Sequence, residues 1–179
     1  ENKGMAEKES NKLLIVVDMQ TDFITGVLGT PEAAAVLSNV RARVAVARAG
    51  GERVVFTRDT HEPDYLSTQE GKRLPVPHCI RGEAGWQIAA GLVTEGDLCF
   101  DKPCFGSVLL AQYAAEQKFA EAELIGVCTD ICVISNALLL KAFCPEMRVC
   151  VRADCCAGVT PAAHETALAA MRACQVDIL

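Results

Sequence analysis

No cluster of lysines and arginines occurs in the 179 residues, and acidic side chains outnumber basic ones 23 to 17, for a net charge of −6. A polyanion finds no landing surface on such a chain, so nucleic acid is not an expected partner. Apolar stretches are short and broken by charges, below the roughly 18 residues of a membrane-spanning helix. The segment Glu1 to Lys12 is polar, so neither a membrane span nor a signal peptide is expected. GxGxxG and the GxxxxGK-Ser/Thr loop are both missing, which removes the main sequence support for a nucleotide cofactor. Internal repeats and low-complexity tracts are absent, and only three histidines are present.

What the chain does have is 51% hydrophobic residues and 10 cysteines. That apolar content, at this length, suits one domain with a sizeable core. Most cysteines, such as Cys99, Cys144, Cys150 and Cys174, sit in apolar strand-like or helical text, where a free thiol behaves as a small hydrophobe. A reducing, cytoplasmic setting is therefore expected, rather than a disulfide frame. Cys128/Cys132 and Cys155/Cys156 lack CxxC spacing, so zinc held by four thiolates is not expected.

Residues 1–11 read as a flexible tail, with Met5 a candidate start, and a single domain is expected over 12–179. Strands are expected at 13–17, 53–57, 97–100, 123–127, 147–151 and 175–178. Between them fall helices at 32–49, 84–90, 107–118, 131–143 and 161–173, the first opened by Thr30 as N-cap with Pro31 at N1. Alternating strands and helices imply βαβ units, and hence a three-layer α/β/α fold around a central, mostly parallel, six-stranded sheet. The loop from Asp59 to Glu83 exceeds a usual βα connection, and loops of that length are generally functional.

Four strand-like segments end on reactive residues: Asp18 after Leu13–Val17, Asp59 and His61 after Val54–Phe56, Lys102 after Leu98–Phe100, and Cys132 after Leu124–Val127. In a parallel α/β sheet those ends share one crevice. Cys132 falls in the first turn of a helix, where the dipole and unpaired N–H groups favour a thiolate. The N–H groups of Cys132 and Cys128 are the candidate oxyanion hole.

Asp18-Met19-Gln20-Thr21-Asp22-Phe23, Asp101-Lys102 and the run from Gly126 to Val133 (GVCTDICV) together resemble the isochorismatase-like cysteine hydrolase superfamily, over essentially Leu13 to Leu179. The resemblance implies an amidase triad, with Cys132 as nucleophile, Asp18 as general base, and Lys102 as the cation that holds the pair and lowers the thiol pKa. A cis peptide before Cys128 and a homo-oligomer are also implied.

Asp59-Thr60-His61, with His78 in the same loop, sets carboxylate and imidazole where a divalent metal is plausible chemistry. This pattern is similar to the nicotinamidase branch. That branch implies a set of Asp59, His61, Glu70 and His78, with Glu62 and Asp64 as competitors for the third position, holding zinc foremost and iron or manganese otherwise. Nicotinamidases usually carry an aromatic three residues before the last histidine; this chain has Pro75. Phe23 and Phe105 are expected to line the substrate pocket, whereas Trp86 is expected to pack in the core and His164 to lie at the surface or an interface. Arg58, Arg81 and Lys72 are near enough in sequence to meet an acidic group on the substrate.

The expected function is hydrolysis of a small, nicotinamide-like carboxamide to acid and ammonia through an acyl-thioester. Rivals are hydrolysis of N-carbamoyl or ureido compounds by the same triad, and a catalytically silent binding protein of this fold. Vinyl-ether hydrolysis, as in true isochorismatases, is disfavoured by the presence of Cys132.

Overall fold

Leu13 to Val17 fill strand β1 (Lys12–Val17), and all five are buried in the computed structural model, which describes residues 10–179. A strand covered on both faces reads as a continuous apolar run, because period two sends successive side chains to opposite layers. Leu13, Ile15 and Val17 join one buried cluster and Leu14 and Val16 the other. The remaining strands are β2 (Arg53–Asp59), β3 (Leu98–Lys102), β4 (Glu121–Val127), β5 (Arg148–Ala157) and β6 (Asp177–Ile178). They form one sheet in the order β3-β2-β1-β4-β5-β6, with every neighbouring pair parallel.

The helices are α1 (Thr21–Ile24), α2 (Pro31–Ala49), α3 (Gln69–Arg73), α4 (Val108–Gln117), α5 (Ile134–Phe143) and α6 (Pro161–Ala173). Val40, Val44 and Ala47 of α2 cover one face of the sheet. Leu110, Leu140 and Met171, from α4, α5 and α6, cover the other. Thr30, Ser107 and Thr160 open α2, α4 and α6 by accepting the N–H of the third residue on, at 3.0–3.1 Å. Each such cap is worth about 1 kcal/mol. Among the described residues, no helix is long and apolar enough to cross a membrane.

The three-layer fold stands as expected, with a sheet that is wholly parallel. Four local expectations need correction. The helix expected over 84–90 is only a 3-10 turn, Ala84–Trp86, and the long loop carries its own short elements at Tyr65–Ser67 and α3. The last strand is two residues long. β5 continues to Ala157 through a register shift opposite Leu124/Gly126, because the charged Arg152 to Asp154 interrupt its apolar pattern without ending its pairing. Of the expected tail, only Ser10 and Asn11 lie within the described residues. All ten cysteines are free thiols. Cys150 is buried as expected, whereas Cys174 is exposed at the end of α6.

One ion cluster ties the layers together. Glu123 of β4, its side chain 5% exposed, accepts from Arg43 of α2 at 2.9 and 3.0 Å and from Arg152 of β5 at 2.6 Å. Burial pushes this carboxyl upward, but the two guanidiniums outweigh it and its pKa lies below the ordinary carboxylate value. A depressed carboxylate contributes its stability above the unfolded pKa and loses it as pH falls through the folded one. Glu123→Gln is thus expected to cost about 3 kcal/mol at pH 7, because the half-buried Arg43 loses its main partner. The difference from wild type should shrink in acid, and urea denaturation at pH 7 and pH 3 checks both statements.

Candidate active site

The chain steps from β1 outward to β3, then returns to the other side of β1 to lay down β4. The carboxyl ends of β1 and β4 therefore flank the point where strand order reverses, the usual ligand crevice of such sheets. At that seam Gly126 has φ +119, and a Cβ there would fall 2.1 Å from the Val17 carbonyl oxygen. Only glycine permits so close an approach, and it brings the segment after β4 beside Asp18.

Asp18, Lys102 and Cys132 meet in this crevice, and all three are buried. Lys102 Nζ lies 2.7 Å from Asp18 Oδ2 and donates to Cys132 Sγ at 3.3 Å and to the Cys104 carbonyl at 3.1 Å. Asp18 itself adopts φ +48, which Asp tolerates better than most residues. The Thr57 hydroxyl donates to its Oδ1 at 2.6 Å. Oδ2 is buried and faces the Lys102 ammonium.

Burial works against charge in this group, and the outcome differs from residue to residue. For Lys102, burial disfavours the ammonium, but Asp18, Cys132 and Asp59 outweigh it and hold the amine protonated. For Asp18, burial raises the pKa against the opposing pull of Lys102. Cys132 corrects an expectation, because its thiol is pushed well above the ordinary value by complete burial and by the charge of Asp18, against a smaller lowering by Lys102. One ammonium does not make up for lost water and two carboxylates.

Cys132 lies in a π-helical turn, Thr129–Val133, that leads into α5. The Cys128 carbonyl accepts the N–H groups of both Ile131 and Val133 at 3.1 Å, and the Val127–Cys128 peptide is cis. The turn is fixed from outside. Thr129 Oγ1 lies 2.7 Å from His164 Nδ1, and Asp130 Oδ1 accepts the Val159 N–H at 3.0 Å. His164 is therefore half-buried against this turn rather than a surface residue.

Asp59, His61, Glu70 and His78 converge beside the triad, each offering one ligand atom within 4.8 Å of the others. A parallel bridge between His61 and Ile80 brings the two histidine segments together. His61 Nε2 and His78 Nε2 lie 3.0 and 3.2 Å from Asp59 Oδ2, while Glu70 Oε1 is 3.5 Å from His61 and 3.8 Å from His78. A His78 ring that donates from Nδ1 to the Val76 carbonyl at 2.8 Å turns its Nε2 lone pair into the cluster. Asp59 Oδ1 is buried without a hydrogen-bond partner, 3.8 Å from Lys102 Nζ. Two imidazoles, two carboxylates and an orphaned buried oxygen fit a divalent cation. Glu62 and Asp64 are exposed and stand outside the cluster; Glu62 instead pairs with Arg81 at 2.8 Å.

The isochorismatase domain model matches residues 12–179. The chain belongs to the isochorismatase family. A nicotinamidase/pyrazinamidase of Mycobacterium tuberculosis is 26% identical to this isochorismatase-family chain over 191 residues, covering 94% of it and 98% of the relative. Among solved structures, a zinc complex of Pyrococcus horikoshii pyrazinamidase superposes with a TM-score of 0.83 at 25% identity, covering 94% of this chain and 98% of that one. N-carbamoylsarcosine amidase of Thermoplasma acidophilum reaches 0.78 at 26% identity, with coverage of 93% and 94%.

In this isochorismatase-family chain a cavity of about 280 Å³ is lined by Cys128 and Cys132 and also by Asp59, Glu70 and His78. Phe23 and Phe105 line it as expected, together with Leu28, Leu74, Ile131 and Val159. Trp86 does not pack in the core. It donates to Thr60 Oγ1 at 2.9 Å and carries the Arg58 guanidinium 3.9 Å above its ring. Arg58 and Arg81 both pair with Asp101, and neither they nor Lys72 line the cavity, so the expectation that they greet an acidic substrate is not met. Three buried partners escaped the sequence reading: Thr57, Gln20 and Asn136. Asn136 donates to the Cys132 carbonyl at 2.8 Å and accepts the Ser107 N–H at 2.9 Å. An asparagine four residues after the cysteine, on the same helix face, was the one available signal.

Proposed function

We propose that this chain is a metal-containing cysteine amidohydrolase that cleaves a small carboxamide, with nicotinamide and pyrazinamide as the leading substrates. The observation that carries the reading is one cavity lined both by Cys132 and by Asp59, Glu70 and His78 of the four-residue cluster that His61 completes. The relatives named for nicotinamide and pyrazinamide hydrolysis support it, as does the zinc complex of one of them.

The steps follow from the donors and acceptors present. Cys132 Sγ attacks the carboxamide carbon as its proton passes to the Asp18 carboxylate, with the Lys102 ammonium in contact with both groups. Lys102 stays protonated beside both groups and offsets the negative charge that moves between them. The N–H groups of Cys128 and Cys132 receive the developing oxyanion. Asp18 returns the proton to the leaving nitrogen, so ammonia departs and a thioester remains. Water then gives its proton to Asp18 as it attacks the thioester. The acid is released, and the proton returns to sulfur. A bound divalent ion, zinc foremost, would grip a Lewis-basic ring atom and orient the substrate. Asp59, His61, Glu70 and His78 would hold it.

Ammonia release from nicotinamide, pyrazinamide, N-carbamoyl amino acids and simple aliphatic amides tests the assignment. Turnover of the aromatic amides above the rest is expected, and no ammonia from any of them would overturn it. The second reading, carbamoyl hydrolysis, is favoured by the N-carbamoylsarcosine amidase likeness and by the absence of an aromatic at Pro75; preference for the N-carbamoyl compounds would select it. Chelation of tag-free enzyme is expected to lower aromatic-amide turnover by about 10-fold or more through lost orientation, with recovery on adding zinc. Metal analysis of the same samples checks the link, and undiminished turnover by metal-free enzyme would contradict it.

A further inference from the structure

From the geometry we infer that Gln20 and Asp22 are positioning residues that clamp the Asp59 and His78 segments of the metal cluster to the segment that follows β1. This rests on the reading of Asp59, His61, Glu70 and His78 as metal ligands. The chain supplies those ligands from three places along residues 59–78: the end of β2 for Asp59 and His61, α3 for Glu70, and the loop after it for His78. A cluster meant to bind an ion must be held in shape by groups that touch the ligand segments rather than the ion.

Gln20 does this for Asp59. Its amide is fully buried, accepts the Asp59 N–H through Oε1 at 2.8 Å, and donates through Nε2 to the Asp59 carbonyl at 2.8 Å. A side-chain amide has thereby taken the place of a neighbouring strand, bonding both main-chain groups of a single residue. The other Nε2 hydrogen goes to the Trp86 carbonyl at 2.8 Å. The amide is thus satisfied at three points, in one orientation. Rotation of Asp59 about its backbone would break two bonds at once.

Asp22 does the same for His78. Its Oδ2 accepts the N–H of Cys79, the next residue, at 2.8 Å, and Cys79 sits at φ +47. The carboxylate also lies against Gly85, where an added Cβ would fall 2.2 Å from Oδ2. Glycine at 85 leaves room for the clamp. In Asp18-Met19-Gln20-Thr21-Asp22-Phe23 the two residues are spaced around the turn into α1. One segment therefore offers Asp18 to the triad, Gln20 and Asp22 to the ligand segments, and Phe23 to the cavity wall.

The test measures zinc affinity of the full chain, by competition with a chromophoric chelator, in the absence of any amide. Gln20→Met and Asp22→Ala are each expected to weaken zinc binding about 10- to 100-fold, and Gly85→Ala to do the same by displacing Asp22. Asp22→Asn keeps an acceptor for Cys79 and should bind within a few-fold of wild type. Val40→Ala, which loosens the core under α2 without touching the cluster, should lower the melting temperature and leave zinc affinity unchanged. Near-wild-type affinity in Gln20→Met and Asp22→Ala, or an equal loss in Val40→Ala, would overturn the inference. If Gln20→Met does not fold, the Asp22→Ala against Asp22→Asn comparison decides alone. A wild-type chain that hydrolyses amides yet binds no zinc removes this inference and leaves the amidase reading standing, whereas zinc binding with no amide turnover does the reverse.

Discussion

Replacing Cys132 by alanine is expected to lower amide turnover by about 10⁴-fold or more while leaving the fold intact. The reason is chemical. The route through a thioester needs a sulfur at this position, and no other residue on the same cavity wall replaces it. Cys128 also lines the cavity, but it is Cys132 that receives the Lys102 ammonium, at 3.3 Å. The structural cost should be small, because the side chain lost is short and its main contact, the Lys102 ammonium at 3.3 Å, keeps Asp18 as counterion. Steady-state ammonia release and a thermal melt, run on the same preparation, separate the two effects. Normal turnover by Cys132→Ala would end the covalent mechanism.

Lys102→Met is expected to be damaging in a different way, costing about 3–5 kcal/mol of stability as well as activity. Asp18 is fully buried, and without the ammonium 2.7 Å away its charge is left uncompensated inside the fold. Asp18→Asn removes that charge while leaving an oxygen to accept from Thr57, so Asp18→Asn/Lys102→Met should recover most of the lost stability and none of the activity. Urea denaturation of the four proteins gives the coupling between the two sites. If Lys102→Met alone is as stable as wild type, the ammonium is not the counterion that holds Asp18 in place.

The sequence made the strand ends legible and left their surroundings hidden. Asp18, Asp59 and Lys102 each follow or close an apolar run, so their shared edge followed from the parallel-sheet rule. The GVCTDICV turn placed Cys132 there as well. His78 is legible as one of only three histidines, in the same long loop as Asp59 and His61, whereas only the family resemblance points to Glu70. Thr57 and Gln20 were invisible because they act across 39 residues, through contacts that no local spacing records. The thiol pKa was misjudged for a related reason. Helix position and a nearby cation can be read from spacing, but complete burial beside two carboxylates is a property of the packed fold. β5 was cut short because a register shift has no signature in hydrophobic alternation.

On the proposed route, acid and ammonia arise through an acyl group carried on Cys132. The amide and the hydrazide of one carboxylic acid, each turned over in the presence of hydroxylamine, test it most directly. A shared thioester predicts the same ratio of hydroxamate to acid from both substrates, because the leaving group has departed before hydroxylamine and water compete. A ratio that changes with the leaving group, or acid as the sole product at every hydroxylamine concentration, would contradict the account.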